Sequence, residues 1–254
     1  MALTDKLTSI ADAIREKTGK TEALTLDQMV TDIEGIETGG GGEDLIAAHF
    51  NTTLENYSSD EVLKVPNYAF EWNGTVKSVN FPNATSIGTN AFWYASKLAS
   101  VNMPQVKTIP NSAFGSTAIT NANFPLTTSV GKQAFYWCAS LISVNIPKVT
   151  NLGVSAFNKC HSLAAIDLPS VTTLDDQAFA NCTALTTVVL RSASVVTMKY
   201  ASAFNGTPFA SGGTGGTVYV PAVLIEQYQQ ATNWSSLFAA GSCEFVAIEG
   251  SEYE

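Results

Sequence analysis

Cys138, Cys160 and Cys182 recur at steps of 22 residues, and His161 follows Cys160. Thiols at a fixed repeat could pair as a disulfide, and a thiolate beside an imidazole could open a metal site. Neither chemistry closes on this pattern. Zinc takes four convergent ligands, and the other histidine, His49, lies far upstream. The equivalent position in other repeats holds Asn73, Ala95, Thr117 or Thr207, so the thiols read as small core side chains. Cys243 stands outside the column. Neither histidine has a nucleophile and carboxylate arranged for acyl transfer. Asp175-Asp176, adjacent carboxylates on a turn, read as solvated surface. Four glycines among residues 212–216 suggest a phosphate cradle, but no Gly-Lys-Ser/Thr follows and the run reads as a loop. The chain is therefore expected to carry no catalytic residues, no metal site and no cofactor.

Two other residue sets could bind. Trp72, Trp93, Tyr94, Tyr136 and Trp137 each fall one or two places after a repeated Phe. Large rings on turns stack on sugars or anchor protein partners, and they also pack on their own neighbours. Gly115 and Ser116 interrupt this series, which predicts a notch between the flanking rings. The second set is Asn80, Asn102, Asn123 and Asn145, with Asp167 and Tyr219 at the matching places further on. If the strands stack in register, these amides form one ladder on a concave face. Such a ladder can satisfy itself or line a polar groove.

The elements that position both sets follow from a repeat. Seven Ala-Phe dipeptides end at Phe70, Phe92, Phe114, Phe135, Phe157, Phe179 and Phe204, with spacings of 22, 22, 21, 22, 22 and 25 residues. A unit of this length marks a leucine-rich-repeat solenoid: a curved parallel β-sheet with one strand per repeat and an irregular or short-helical convex side. Each unit carries an apolar-x-x-apolar-x-apolar-Pro strand, as in Val76, Val79, Phe81, Pro82 and Leu141, Val144, Ile146, Pro147. Alternation turns the apolar side chains inward, and proline, lacking the ladder donor, ends the strand. A second apolar position, at Ile87, Ile109, Val130, Leu152 and Leu174, leads into the Ala-Phe turn. Leu54, Tyr57, Val62, Leu63 and Val65 are expected to build a degenerate first unit. Leu224, Tyr228, Ala231, Trp234 and Leu237 predict a C-terminal capping helix, with a last edge strand at Phe245, Val246 and Ile248.

Upstream, Leu3, Leu7, Ile10 and Ile14 lie on one helical face, and Thr25 and Gln28 have capping-box spacing before Met29, Ile33 and Ile36. Two helices this short need a covering partner. The chain thus divides into a helical hairpin module at 1–38 for attachment or oligomerisation, a glycine-rich linker at 39–44, repeats at 45–221 and a cap at 222–254. Charged residues make up 14% of the chain, against about a quarter in typical domains, and the net charge is −9. Residues 1–44 hold 10 acidic and 4 basic side chains and the rest 12 and 9, so the repeat body is near neutral. No basic stripe is present for nucleic acid, and no apolar run is long enough for membrane insertion. The N-terminus lacks a secretory pattern, which predicts synthesis in the cytoplasm without a signal peptide.

The segments "LISVNIPKVTNLGVSAFNKC" and "LAAIDLPSVTTLDDQAFANC" resemble the BspA-like leucine-rich repeats of bacterial surface proteins, and the likeness extends over residues 66–221. Residues 1–36 resemble an N-terminal module of phage and prophage tail or baseplate-associated proteins. Together these resemblances imply a non-catalytic virion protein that recognises a host surface glycan or protein. The N-terminal module would dock on other virion proteins or form a homo-oligomer, a trimer by analogy with tail symmetry. A bacterial cell-surface adhesin and a purely structural virion spacer are the alternatives.

Overall fold

The computed structural model of the chain describes residues 54–60, 62–210 and 212–254. The expected module with Leu3, Leu7, Ile10, Ile14, Met29 and Ile33, the glycine linker and His49 lie outside them.

Two rows of parallel strands run along the molecule. The longer strands are β1 (Asn56–Ser58), β3 (Ser78–Asn80), β5 (Ser100–Asn102), β7 (Asn121–Asn123), β9 (Ser143–Asn145), β11 (Ala165–Leu168), β13 (Thr187–Leu190), β15 (Gly216–Val220) and β16 (Cys243–Ala247). Between them lie two-residue strands: β2 (Lys64–Val65), β4 (Ser86–Ile87), β6 (Thr108–Ile109), β8 (Ser129–Val130), β10 (Asn151–Leu152), β12 (Thr173–Leu174) and β14 (Thr197–Met198). Pairing is in register, so Val79 sits against Val101 and Leu152 against Leu174. The fold is the expected parallel solenoid, but the side opposite the main strands differs in detail. It carries the second strand row and tight turns, because Ile87, Ile109 and their counterparts point inward while the preceding residue points out. A residue pair alternating in this way adopts strand backbone.

The Ala-Phe dipeptides form the centre of the packing. Phe70, Phe92, Phe114, Phe135, Phe157, Phe179 and Phe204 are fully buried. Each ring stacks on the next at 4.9–5.6 Å between centroids, within 15° of parallel. The turn that holds them alternates its amide directions. Asn90, Phe92 and Tyr94 donate to the next turn, at Asn111, Ala113 and Gly115, while Ala91, Trp93 and Ala95 close bonds within their own turn. This alternation requires positive φ at two residues per turn, such as Asn90 (56°) and Tyr94 (57°). Positive φ at the third residue is the mark of a type II turn.

Both ends of the ring column are closed. Tyr57 meets Phe70 edge-on at 4.9 Å. Trp234 packs on Phe204 at 5.7 Å, and Tyr228 and Phe245 pack on Trp234. In place of one capping helix there is a 3-10 turn (Ala222–Leu224) followed by α1 (Ile225–Gln230) and α2 (Trp234–Ala239). The break follows from Asn233, whose φ of 68° is incompatible with continued helix. Trp234 Nε1 donates to the Val196 carbonyl at 2.8 Å, and Tyr228 OH accepts from the Val196 amide at 3.0 Å. At the other end Tyr57, Val62 and Val65 are buried, but Leu54 and Leu63 are exposed, contrary to expectation. Their unit has no preceding described turn to pack on.

The thiol column is a set of hydrogen-bond donors. Cys138, Cys160 and Cys182 donate to the carbonyls of Phe114, Phe135 and Phe157 at 3.0–3.2 Å, and all are free and fully buried. Thr117 and Thr207 donate to the carbonyls of Phe114 and Phe204. Asn73 Oδ1 instead accepts from the amides of Thr75 and Val76. The position thus selects small groups that satisfy turn backbone, with Ala95 the tolerated exception. Burial pushes the Cys138 thiol up to about 11, against the opposing pull of Thr117. Burial likewise raises Cys160 well above its ordinary value, with Cys182 and Cys138 adding to the rise. Burial also lifts Cys243 and Tyr228 to about 12.

These groups are neutral in the fold, whereas an unfolded thiol begins to ionise near pH 9. Their contribution to stability is therefore complete below about pH 9 and is lost as pH rises through the folded values. The urea midpoint should stay level up to about pH 9 and fall towards pH 11, and Cys138→Ala should flatten that fall. Thiol reagent at pH 8 should label Cys138, Cys160 and Cys182 only after unfolding. Rapid labelling of the native protein would contradict the assignment.

Candidate functional site

The rim aromatics occupy two neighbouring columns of the Ala-Phe turns. Trp72, Tyr94, Ser116, Trp137, Lys159 and Asn181 form one, and every member has positive φ, between 56° and 65°. Bulky side chains rarely adopt this conformation, which costs about 1–2 kcal/mol relative to ordinary backbone. The strain is held by turn-to-turn bonds: the Trp72 amide donates to the Trp93 carbonyl and the Trp137 amide to the Asn158 carbonyl, both at 2.8 Å.

The rings also contact one another. Trp72 stacks on Tyr94 at 4.1 Å and 11°. Trp93 meets Tyr94 edge-on at 5.2 Å and stacks on Tyr136 at 6.2 Å. Tyr136 meets Trp137 edge-on, and Lys159 Nζ lies 5.3 Å from the Tyr136 ring and 4.8 Å from the Trp137 ring. All five predicted residues are thus brought into one continuous rim, with Lys159 as an added cation at its end. The predicted notch is filled. Trp93 lies across Gly115, where a Cβ would come within 2.0 Å of ring atom Cζ3. Despite this packing Trp72 remains 65% exposed and Trp137 45% exposed, so the rim presents ring edges and outer faces to solvent.

The predicted amide ladder is two pairs. Asn102 Nδ2 donates to Asn80 Oδ1 at 2.6 Å, and Asn145 Nδ2 donates to Asn123 Oδ1 at 2.7 Å. The main strand row is interrupted between β5 and β7 and again between β9 and β11. Asp167 is held by Arg191 Nε, at 3.2 and 3.0 Å from its two carboxylate oxygens. Tyr219 packs on Tyr253 at 4.6 Å. Val189, between those two contacts on the row expected to face outward, is buried.

The residues set aside for chemistry stay apart. Cys160 is buried and His161 exposed. Asp175 and Asp176 are half-buried and paired, where solvated surface was expected. Asp175 bonds Lys199 Nζ at 2.8 Å, and Asp176 accepts from Ser202 Oγ. The bond to Lys199 holds the Asp175 carboxyl below the usual range, opposite to the raised pKa of a general acid. The glycine run lines an open groove of about 430 Å³ with Thr186, Thr187, Thr217 and Glu244. Glu244 Oε1 accepts from Thr217 Oγ1 at 2.8 Å, and a carboxylate there disfavours phosphate. Among the described residues no group of three His, Cys, Asp or Glu side chains could hold a metal ion, and no helix is long and apolar enough to cross a membrane.

A parallel solenoid with stacked Phe turns and a polar strand face defines a leucine-rich-repeat protein, a class typically devoted to non-catalytic binding. The BspA type leucine rich repeat region matches in six copies over residues 63–186 and 107–211, more than half of the chain, and the protein belongs to that family. Among solved structures it is similar to a leucine-rich repeat protein from Bacteroides ovatus, at 18% identity over 76% of this chain and 68% of that one, TM-score 0.42. A leucine-rich repeat protein from Eubacterium ventriosum is 20% identical over 61% and 44% of the two chains, TM-score 0.44. A leucine rich cell surface protein from Faecalibacterium prausnitzii is 21% identical over 65% and 59%, TM-score 0.40. The chain thus spans less than two thirds of the latter two structures. No curated protein matches it.

Gly115→Ala tests the rim without removing a ring. The added methyl must displace Trp93, which should lower stability by about 1 kcal/mol, red-shift tryptophan emission and expose Trp93 to iodide. In a Trp93→Ala background the same substitution should cost almost nothing. Equal costs in both backgrounds would refute the contact.

Proposed function

We propose that this is a non-catalytic recognition protein, acting as a phage tail or baseplate accessory, whose aromatic rim contacts a glycan or protein on a host surface. The observation that carries the reading is Trp72 and Trp137, kept exposed on strained positive-φ backbone. Asn181 occupies the same column with less strain. Indoles at these places gain little from burial, and retaining them points to use. The tail or baseplate role rests on the resemblance of residues 1–36, which would join the protein to other virion proteins or to copies of itself. A second reading, a bacterial cell-surface adhesin, is favoured by membership of the BspA-type family. Tail genes beside the coding sequence would support the first reading, and an upstream export signal the second.

Trp72→Asn and Trp137→Asn should leave stability within about 1 kcal/mol, because relief of positive-φ strain offsets the lost ring contacts. The double variant should lose at least about tenfold in binding to host-cell envelopes in a pull-down titration. Unchanged binding with an intact fold would remove the rim as the contact surface. Sedimentation of the chain with and without residues 1–42 should show a trimer reduced to monomer, and monomers in both cases would count against self-association.

A further inference from the structure

The break between β5 and β7 coincides with a shortened turn. In regular units the strand is entered through a turn in which the Leu98, Leu141, Leu163 or Leu185 amide donates to the carbonyl three residues earlier. In the 21-residue unit one residue is missing from this turn. Thr117 is followed by Ala118 and Ile119, and the bond has no counterpart there. No ladder bond joins β7 to β5.

The break leaves complementary groups facing each other across the seam. Asn102 spends its Nδ2 on Asn80, and Asn123 spends its Oδ1 on Asn145. Among the described residues nothing donates to Asn102 Oδ1, nothing accepts from Asn123 Nδ2, and Ser100 Oγ has no side-chain bond. An acceptor and a donor therefore stand on adjacent turns that no ladder bond holds at strand spacing, with a hydroxyl alongside. The other break differs. Beyond Asn145 comes Asp167, which has only acceptors and is already bound to Arg191.

We propose that the seam between β5 and β7 binds the acetamido group of an N-acetylated hexosamine. The acetamido N–H donates to Asn102 Oδ1, its carbonyl accepts from Asn123 Nδ2, and a ring hydroxyl meets Ser100. The amide bridges the two amide pairs across the seam. A peptide amide has the same two groups, but peptide recognition on strands draws specificity from side-chain pockets. The outward rows of β3, β5, β7 and β9 hold only Ser and Asn, a lining suited to sugar hydroxyls. The inference rests on the reading that the protein recognises a surface glycan, and it names a different face from the rim.

The test is titration of the full chain, by calorimetry and saturation-transfer NMR, with a β-1,4 tetramer of N-acetylglucosamine and the corresponding tetramer of glucose. The acetylated tetramer should bind and the glucose tetramer should bind at least about tenfold more weakly. Asn123→Asp keeps the acceptor for Asn145 and removes the donor, so it should abolish that difference, while Asn80→Asp, which keeps the acceptor for Asn102 one turn away from the seam, should preserve it. Equal binding of the two tetramers, no binding of either, or indifference to Asn123→Asp would overturn the proposal. So would equal binding of a blocked tripeptide. Envelope binding that depends on Trp72 and Trp137 without acetyl discrimination would defeat this proposal and leave the recognition role standing. The reverse result would defeat the rim alone.

Discussion

Every second amide of the Ala-Phe turn donates to the next turn, and this bond dictates much of the molecule. It fixes successive turns one strand spacing apart, which is also the distance at which Phe70 through Phe204 stack. It also forces positive φ on two residues per turn. In exchange, most amides of the described turns find a carbonyl partner. The rings, the thiols and both strand rows take their positions from that backbone.

In-register stacking then constrains the surface. Each side chain lies about 5 Å from its counterpart in the next turn, and like charges directly opposite one another repel. Neutral Ser, Thr and Asn avoid the penalty, and the amides gain bonds with one another. Three charged pairs meet about one turn apart: Lys77 with Glu55, Arg191 with Asp167, Lys199 with Asp175. These pairs are partly or largely solvated and contribute little stability individually. Their value is that a charged column can exist at all. The sparse charge of the repeat body therefore follows from the stacking itself.

The periodic part of this architecture was legible because the Phe spacing and the apolar-x-apolar-Pro strands repeat every constraint several times. The capping residues Tyr228 and Trp234 were legible for the same reason, since a column of rings must end on something apolar. What escaped were features set by backbone geometry alone. Tyr68, Trp72 and Gln133 have positive φ, yet only Asn or Gly at those places would have announced it. The rim residues were all found, but Gly115 looked like a gap when it is the floor under Trp93. A missing Cβ leaves room, and sequence alone does not say which neighbour takes it.

The ladder was misjudged for a related reason. Four asparagines at steps of 22, 21 and 22 residues look continuous, but the lost residue falls in the turn that leads into β7, and β5 and β7 do not pair. The same unit bears on two surfaces. On the turn side the same unit supplies Gly115, which lets Trp93 span two turns to Tyr136. On the strand side it separates two amide pairs and leaves their unlike ends apart. A perfect repeat would satisfy every polar group with its own neighbour and offer a ligand nothing but competition with itself. On the strand face the unpaired amide ends lie at a fault in the repeat, and the third unit is where this chain has one.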